Sequence, residues 1–381
     1  MIRDTLLIVS TSYPISSDGS EAAGAFVADF AAAMAHRMPV RVVGPGLSAR
    51  VEAGPGVPIW RFAAGARPLS LLSPFAPWHW AAIARTLHSL KRQVLAADAD
   101  DRVAHTLALW ALPSGWAARA LQRAKGVPYS VWALGSDIWS LGRLPVVGSI
   151  LSGVCSDAAG AFADGLQLAR DAEAICNRRF AFMASCRRLD GVRSDPIRLQ
   201  PPFRYLFLGR WHTNKGIDLL FDALDCLDEG AWAAIADVHV AGGGPLQPMV
   251  ETRCARLQKA GRPVRLSGFL DRRQASEALG AADRLLLPSR IESIPVVFSD
   301  AMAYRLPVVS MPVGDLPTLL SDGTGWLADA VTGDAFARAL RASLHCGHHE
   351  AAIESLAMRF DVDAQARSFA ESIRKANQAH G

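Results

Sequence analysis

The sequence predicts an α/β protein made of two tandem, doubly wound domains, and three observations support this class. Short β-rich apolar runs alternate with helical patterns before residue 190, and the alternation restarts at residue 204. Between the two series, residues 190–204 hold three prolines and no periodicity, as expected of a linker. The length of 381 residues suits two domains. Buried strands that alternate with helices are typical of mostly parallel sheets covered on both faces.

The first series predicts a domain over residues 1–195. Its strand candidates are TLLIVS from Thr5, VRVVG from Val40, PIWRF from Pro58, RVAHTL from Arg102, YSVWAL from Tyr129 and AGAFAD from Ala159. Helical patterns fall between several of these runs, for example over residues 22–37 and 113–126.

The second series predicts a domain over residues 196–360. Its strand candidates are RYLFLG, DVHVAG, VRLSG, RLLLPS and PVVSM, each followed by a helical pattern. The remaining residues, 361–381, form an amphipathic pattern, and we expect this helix to pack back on the first domain. Tandem domains of this class usually bind ligands at the carboxyl ends of their strands.

Composition narrows the class of function. The net charge is only +4 and no dense basic run is present, which argues against nucleic acid as the main partner. None of the six cysteines forms a CxxC pair, so we expect free thiols in a reducing cytosol and no zinc site. The first apolar run is too short for a signal peptide, and no run reaches the roughly 20 apolar residues of a membrane span.

Two cations follow the first strand of the second domain. Arg210 and Lys215 flank a loop that opens a helix at Gly216. Cations beside a helix N-terminus favour a diphosphate, because free N–H groups and the helix dipole add to the side-chain charges. The alternative is a pair of solvated surface cations.

The next two strands end in residues that admit a flat or phosphorylated ligand. The glycine-rich turn that ends in Gly243, Gly244 and Pro245 allows close approach to the backbone, although such a turn alone is a weak signal. At the following strand end, Gly268, Phe269 and Leu270 are placed to face a planar ring.

The fourth strand ends at Ser289 and delivers two acids eight positions apart, Glu292 and Asp300. The apolar segment between them predicts a strand-to-helix turn. Four successive strands of one sheet thus present candidate nucleotide-binding groups at one edge, which is more specific than any single motif. Two unrelated surface acids are the alternative interpretation.

In these motifs the chain resembles the retaining glycosyltransferases of family 4, which have the GT-B fold. GRWHTNKG, AGGGPL and PSRIESIPVVFSDAMAYRLPVVSMPVGDLPTLLSDGTGWL carry the likeness strongly from about residue 204. SDGSEAAGAFVADFAAAMA, ALPSGWAA and GSDIW resemble earlier segments more loosely. The resemblance implies two Rossmann-like domains that face each other across a cleft.

The resemblance also implies roles for residues. Glu292 would contact the donor sugar and act in catalysis, and Asp300 would hold the ribose. Arg210 and Lys215 would neutralise the departing diphosphate, with no metal and no cofactor required. The other donor-binding residues that the resemblance implies are Gly24, Gly209, Gly243, Gly244, Pro245, Gly268, Phe269, Leu270, Ser289, Ser293, Ile294, Pro295 and Val296.

The sequence departs from the family at two points that matter for chemistry. Aspartate stands at position 300, where the family usually has glutamate, and Leu134 stands where the family often has a histidine near the reacting sugar. We therefore consider His105 as a catalytic histidine at a strand end; a hydrogen-bonded structural histidine is the alternative. Trp110 and Asp137 are the candidate acceptor residues.

Residues 75–92 suggest contact with a membrane. Phe75, Trp78 and Trp80 precede a run of cations on one predicted helix, as in helices that lie on anionic lipid. An ordinary surface helix with buried tryptophans is the alternative.

The sequence thus predicts a retaining, metal-independent hexosyltransferase in the cytoplasm, at the inner face of the cytoplasmic membrane. It would transfer a hexose from a nucleotide sugar to a glycan or lipid-linked acceptor of bacterial surface polysaccharide or lipopolysaccharide. A nucleotide-sugar 2-epimerase and a non-catalytic binding or scaffold subunit of the same fold are the alternatives. An epimerase would change the sugar without an acceptor, and a scaffold would show no donor hydrolysis.

Overall fold

A computed structural model describes residues 3–15, 22–53, 56–65, 69, 72, 76–189, 193, 195–320, 323–345 and 349–378. They divide into two compact units. The first unit holds the described residues up to Ser185 and those from Val362 onward, and the second holds Cys186 to Asp361. The first boundary therefore falls at residue 185, where the sequence placed it at 195, because several linker residues are attached to the second unit.

The first unit contains an eight-stranded sheet. Its strands are β1 (Thr5–Ser10), β2 (Val40–Gly46), β3 (Arg50–Ala53), β4 (Pro58–Ala63), β5 (Val103–Leu109), β6 (Tyr129–Ala133), β7 (Gly160–Ala163) and β8 (Ala181–Phe182). The strand order is β3-β4-β2-β1-β5-β6-β7-β8, and all pairings are parallel except that of β3 with β4. Every side chain of the central strand β1 is buried, as expected for a strand covered on both faces.

Helices cover this sheet. They are α1 (Ala22–Ala35), α2 (Pro77–Ala96), α3 (Ser114–Lys125), α4 (Pro145–Asp157), α5 (Leu166–Cys176) and the C-terminal helix α14 (Val362–Gln378). Helix α14 packs on α1, where the rings of Phe369 and Phe30 lie 6.0 Å apart. The C-terminal helix therefore contributes to the core of the first unit, although it is the last element of the chain.

The second unit contains a six-stranded, fully parallel sheet. Its strands are β9 (Phe203–Arg210), β10 (Ile235–Gly243), β11 (Val264–Ser267), β12 (Arg284–Leu287), β13 (Val308–Ser310) and β14 (Gly325–Leu327), in the order β11-β10-β9-β12-β13-β14. Its helices are α6 (Ile217–Asp225), α7 (Glu229–Ala233), α8 (Gln247–Lys259), α9 (Arg272–Ala281), α10 (Val296–Ala303), α11 (Leu316–Leu319), α12 (Gly333–His345) and α13 (Glu350–Ala357).

The predicted strands all form, and the structure adds three that the sequence did not reveal. These are β3, β8 and β14, which have four, two and three residues. Each lies at or beside the edge of a sheet, where one neighbouring strand suffices to hold it. None of their residues is buried, so these strands lack the apolar run by which the other strands are recognised in the sequence.

Among the described residues, no helix combines the length and the apolar character needed to cross a bilayer. Cys155, Cys176, Cys186, Cys226 and Cys254 are free thiols, and Cys346 lies outside the described residues.

Two buried histidines predict an acid-sensitive fold. Burial lowers the pKa of His105, in β5, and of His239, in β10, from 6.5 to about 4. Between these values each histidine binds a proton in the unfolded chain but not in the folded chain, so its own contribution to stability is full above pH 6.5 and is lost as the pH drops towards 4. Asp137, whose pKa burial raises to about 6, acts in the opposite direction in all the proteins compared. Each histidine should then cost roughly 3 kcal/mol of unfolding free energy near pH 4.

Urea unfolding at pH 7.5, 5.5 and 4.5 measures this loss. The His105→Gln variant should lose less stability with acid than the unaltered chain, and so should His239→Gln. His88→Gln, at an exposed position of α2, is the control and should keep the original pH dependence. Parallel pH curves for all four proteins would contradict the prediction.

Candidate functional site

The loops after β9 and β12 are in contact at the carboxyl edge of the second sheet. Gly216 ends the short turn Thr213–Lys215 with a φ of 65°, and a Cβ at this position would lie 1.8 Å from the carbonyl oxygen of Pro288. A side chain is therefore excluded on both conformational and steric grounds. Glycine allows the start of α6 to approach the end of β12 closely.

Arg290 fastens the same two loops together. Its backbone N–H donates to the carbonyl of Asn214 at 2.8 Å. Its guanidinium donates to both carboxylate oxygens of Asp218, in the first turn of α6, at 2.7 and 2.6 Å. A two-pronged arginine–carboxylate pair fixes orientation as well as distance. The sequence alone did not predict these contacts of Arg290.

The loop after β13 approaches from the other side. Gly314 has a φ of 55°, and a Cβ there would lie 2.3 Å from the carbonyl oxygen of Glu292 and 2.1 Å from that of Ser293. The N–H of Asp315 donates to the Ser293 carbonyl at 3.2 Å. Three loops therefore converge on the backbone around Glu292.

This convergence brings the predicted acid and lysine together. The Lys215 ammonium forms an ion pair with Glu292, and the Ser289 hydroxyl donates to the same carboxylate oxygen at 3.4 Å. Glu292 is mostly buried and Lys215 is half-buried. Arg210 ends β9 with its side chain exposed. The structure therefore places Lys215, Glu292 and Ser289 in one cluster.

Asp300 lies in α10 and has a different partner. Its side chain is 0% exposed, and both of its oxygens accept from Arg187, with a distance of 3.1 Å between Nε and Oδ1. Arg187 precedes the linker and carries no sequence motif. Because 113 positions separate the two residues, sequence reasoning missed this pair.

The glycine-rich turn after β10 is used for packing within the protein. A Cβ on Gly243 would lie 2.7 Å from the Phe269 ring, and one on Gly244 would lie 2.8 Å from the Trp211 carbonyl oxygen. Packing within the protein therefore explains why glycine occupies these two positions, and no ligand is needed to explain it. Pro245, which follows them, is exposed.

A cavity of about 250 Å³ opens beside this turn, at the ends of β10 and β11. Trp211, Gln247, Glu251, Gly268 and Phe269 are among its lining residues. Phe269 is an exposed large apolar side chain, and a Cβ on Gly268 would point into open space. The cavity is lined by an aromatic ring, a carboxylate and the Gly268 backbone, which no side chain of the described residues covers.

The remaining donor candidates of the second unit surround the Glu292 cluster and this cavity. The Ser293 hydroxyl is buried and lacks a hydrogen-bond partner among the described residues. Ile294 and Pro295 are buried, while Val296, Gly209 and Leu270 are half-buried. Ser293 is the most informative of these, because a buried hydroxyl without a partner is costly.

Two candidates of the first unit are Gly24 and Trp110. Gly24 is the third residue of α1, within the helical pattern predicted over residues 22–37, and a Cβ there would lie 3.0 Å from the Tyr13 backbone. Trp110 directly follows β5, is half-buried and has a φ of 63°, which is uncommon for a bulky residue. Such conformations often occur at functional sites.

His105 does not lie at a strand end. It is the third residue of β5, fully buried, with its Nε2 2.9 Å from the Ser130 hydroxyl and its ring 6.2 Å from that of Phe369. The predicted strand end was wrong because β5 continues to Leu109. This environment is that of a structural histidine, the alternative named above.

Asp137 is also fully buried. Its carboxylate accepts the N–H of Ala111 at 2.6 Å and that of Leu134 at 3.2 Å, so it joins the ends of β5 and β6. Burial raises the pKa of this carboxyl to about 6. A carboxylate used in this way shapes the loops, and the geometry does not support direct contact with an acceptor.

Within the described residues, no three side chains of histidine, cysteine, aspartate or glutamate cluster as metal ligands. The candidate site of the second unit consists of an ion-paired acid, a lysine beside a helix start, buried hydroxyls and an aromatic-walled cavity. These groups suit an anionic ligand that also carries hydroxyls and a planar ring.

Part of the second unit is similar to a known protein family. Residues 202–345 match the family model described as "Glycosyl transferases group 1". The amylovoran biosynthesis glycosyltransferase AmsK of Erwinia amylovora is 30% identical over 176 residues, which are 44% of this chain and 42% of AmsK. The match therefore spans less than half the length of that relative.

Solved structures show similarity over nearly the whole chain. HepE of Anabaena, in complex with UDP and glucose, has a TM-score of 0.69 at 14% identity, covering 98% of this chain and 100% of HepE. Sucrose-phosphate synthase of Thermosynechococcus elongatus has a TM-score of 0.67 at 16% identity, covering 99% and 98%. These likenesses confirm the predicted fold class, GT-B, with two parallel-sheet α/β domains.

Proposed function

We propose that the protein is a retaining glycosyltransferase of family 4 that transfers a hexose from a nucleotide sugar. The observation that carries the proposal is the convergence of Lys215, Glu292 and Ser289 at the edge of a parallel sheet, within the segment that matches "Glycosyl transferases group 1". Lys215 immediately precedes Gly216 and the first turn of α6.

The chemistry follows from this placement. The bond between the anomeric carbon and the diphosphate oxygen breaks, and the nucleoside diphosphate leaves with the electron pair. The acceptor hydroxyl oxygen bonds to the anomeric carbon, and its proton passes to the departing diphosphate. Negative charge develops on the diphosphate, and Lys215, Arg210 and the start of α6 would stabilise it there. Glu292 and the unpartnered Ser293 hydroxyl would contact the sugar.

The base and ribose of the donor would occupy the neighbouring surface. The cavity at Gly268 and Phe269 is large enough for a base, and Phe269 provides an exposed ring for stacking. Asp300 would hold the ribose. The proposed reaction needs no metal ion and no cofactor.

The acceptor would be a glycan or lipid-linked saccharide of a bacterial surface polysaccharide. AmsK, which acts in amylovoran biosynthesis, supports this choice. The enzyme would then work in the cytoplasm, at the inner face of the membrane where lipid-linked acceptors lie.

Incubation with UDP-, GDP- and ADP-hexoses, with and without EDTA, tests the proposal. Slow release of nucleoside diphosphate that persists in EDTA supports a metal-independent transferase, and an α-linked product from an α-linked donor supports retention. Epimerised nucleotide sugar without acceptor would instead identify the 2-epimerase. Binding without release of diphosphate would identify a non-catalytic subunit, the alternative that Leu134 favours.

Reversible membrane binding through α2 is a separate prediction. Trp78 and Trp80 are 79% and 59% exposed in its first turn, so the alternative of buried tryptophans is wrong. Phe75 lies outside the described residues. We expect cosedimentation with anionic vesicles at low salt, and a severalfold loss in the Trp78→Ala/Trp80→Ala variant, because both aromatic rings suit the interface.

Leu199→Ala removes another exposed apolar side chain, in the second unit, and is the control that should leave cosedimentation unchanged. Failure of the unaltered protein to cosediment at low salt would contradict the prediction.

A further inference from the structure

Arg187 covers the acid that the proposed function assigns to the ribose. Arg187 is the second residue of the segment Cys186–Asp361 of the second unit and lies outside helices and strands. Its guanidinium contacts both oxygens of Asp300. The Arg187 side chain is 18% exposed, whereas that of Asp300 is 0% exposed.

Because Asp300 is fully buried, a ligand cannot reach it in the observed arrangement. An ionised carboxylate offers about four acceptor positions, so lone pairs alone would permit both a guanidinium and two ribose hydroxyls. Access does not permit it, because solvent does not reach Asp300 in this arrangement. A hydroxyl can reach Asp300 only after a neighbour moves.

Arg187 is the neighbour best placed to move. It belongs to an irregular segment, and its side chain keeps some contact with solvent, which can receive the charge. The adjacent backbone is held separately, since Arg272 donates to the carbonyl of Arg188 at 2.8 Å. The side chain can therefore leave Asp300 while the segment stays attached through Arg188.

We infer that Arg187 controls access to the ribose position: its guanidinium occupies Asp300 in the unliganded protein and is exchanged for the ribose hydroxyls when a nucleotide binds. This inference rests on the proposed function. Only the fraction of molecules with Arg187 displaced binds the nucleotide, so the measured affinity is lower than the intrinsic affinity by that fraction. The exchange adds a step that precedes binding.

Calorimetry and stopped-flow tryptophan fluorescence with UDP, GDP and ADP test the inference. We expect Arg187→Gln to bind the nucleoside diphosphates about tenfold more tightly than the unaltered chain. The binding rate of the unaltered chain should reach a plateau at high nucleotide, set by Arg187 displacement, and the variant should show a higher plateau or none. The matching nucleosides should gain the same factor, because they share the ribose.

Arg273→Gln removes an exposed arginine and its ion pair with Glu277 from the same unit, and it is the control that should change nothing. Circular dichroism and urea unfolding show whether each variant is folded, and Arg187→Lys, which keeps a charge with fewer donors, provides an intermediate if Arg187→Gln does not fold.

Equal affinity in Arg187→Gln and the unaltered chain would overturn the inference and leave the proposed function standing. Weaker binding in the variant would also overturn it, because Arg187 would then contact the ligand directly. Binding only by the variant would support it. Absence of binding by every protein would overturn the proposed function, and the inference with it.

Discussion

Replacing Lys215 with alanine is expected to weaken binding of a nucleoside diphosphate by roughly ten- to a hundredfold. Lys215 precedes the first turn of α6 and is held there by the contact between Gly216 and Pro288. A charge-assisted hydrogen bond to a phosphate is roughly twice as strong as a neutral one. The free nucleoside lacks phosphates, so its affinity should stay the same.

The pairing of Lys215 with Glu292 adds a second expectation. In the unliganded protein the two charges neutralise each other, and a diphosphate must compete with the carboxylate for the ammonium. Glu292→Gln should therefore bind the diphosphate as well as, or a few times better than, the unaltered chain. Lys259→Ala, at the exposed end of α8, is the control.

Calorimetry with each nucleoside and its diphosphate measures these effects. Equal losses for both ligands in Lys215→Ala would show that the lysine supports the fold of the loop and does not serve the phosphates. Arg210→Ala should give a smaller loss of the same selectivity, since its side chain is exposed.

The second large effect is a difference between the Asp300 and Glu292 variants, one in nucleotide binding and the other in turnover. Asp300→Ala should weaken the nucleoside diphosphate and the nucleotide sugar alike, by roughly ten- to a hundredfold, because both contain the ribose. Glu292→Ala should leave diphosphate binding almost intact and lower turnover of the nucleotide sugar. A contact to the reacting sugar acts mainly in the transition state.

The buried pair also predicts a loss of stability in the Asp300 variants. Asp300→Ala removes the buried carboxylate that the Arg187 guanidinium contacts, which should cost about 3 kcal/mol of unfolding free energy. Asp300→Glu adds a methylene to a fully buried site, so it should keep binding but lose about 1 kcal/mol or more. The double variant Arg187→Met/Asp300→Leu should recover most of the stability and none of the binding.

Calorimetry, turnover and urea unfolding of these variants decide the matter, with binding measured far below each unfolding midpoint. A loss of diphosphate affinity in Glu292→Ala as large as in Asp300→Ala would show that the two ends of the donor are assigned wrongly. No change in binding or turnover in either variant would place the donor elsewhere.

The local pattern of apolar residues was sufficient to predict much of the architecture. Each predicted strand forms because a buried parallel strand needs a run of apolar residues, which is visible in a single sequence. The motifs after β9, β10, β11 and β12 were found for a related reason. Parallel strands deliver their carboxyl ends to one edge of a sheet, so the sequence predicts that the motifs after them share this edge. It does not predict that β12 lies beside β9 instead of β11.

The interpretation of individual side chains was less successful where it depended on how deeply a side chain is buried in the folded protein. His105 and Asp137 were assigned to a site because histidine and aspartate carry chemistry, yet both are fully buried and hydrogen-bonded. A strand that ends two residues early or late moves a side chain from an edge into a core. Sequence patterns locate strand ends with an uncertainty of that size.

By itself, the sequence determined that the chain forms two alternating α/β units and that Lys215, Glu292 and Asp300 follow strands that end at the same edge of one sheet. Only the tertiary structure decided which charges pair, since Lys215 and Glu292 are 77 positions apart and Arg187 and Asp300 are 113 apart. It also decided why Gly216 and Gly314 are glycine, because the atoms that exclude a side chain there belong to other loops. Apolar periodicity repeats over a few residues and is local, whereas ion pairing and close backbone approach depend on distances that exist only after the chain has folded.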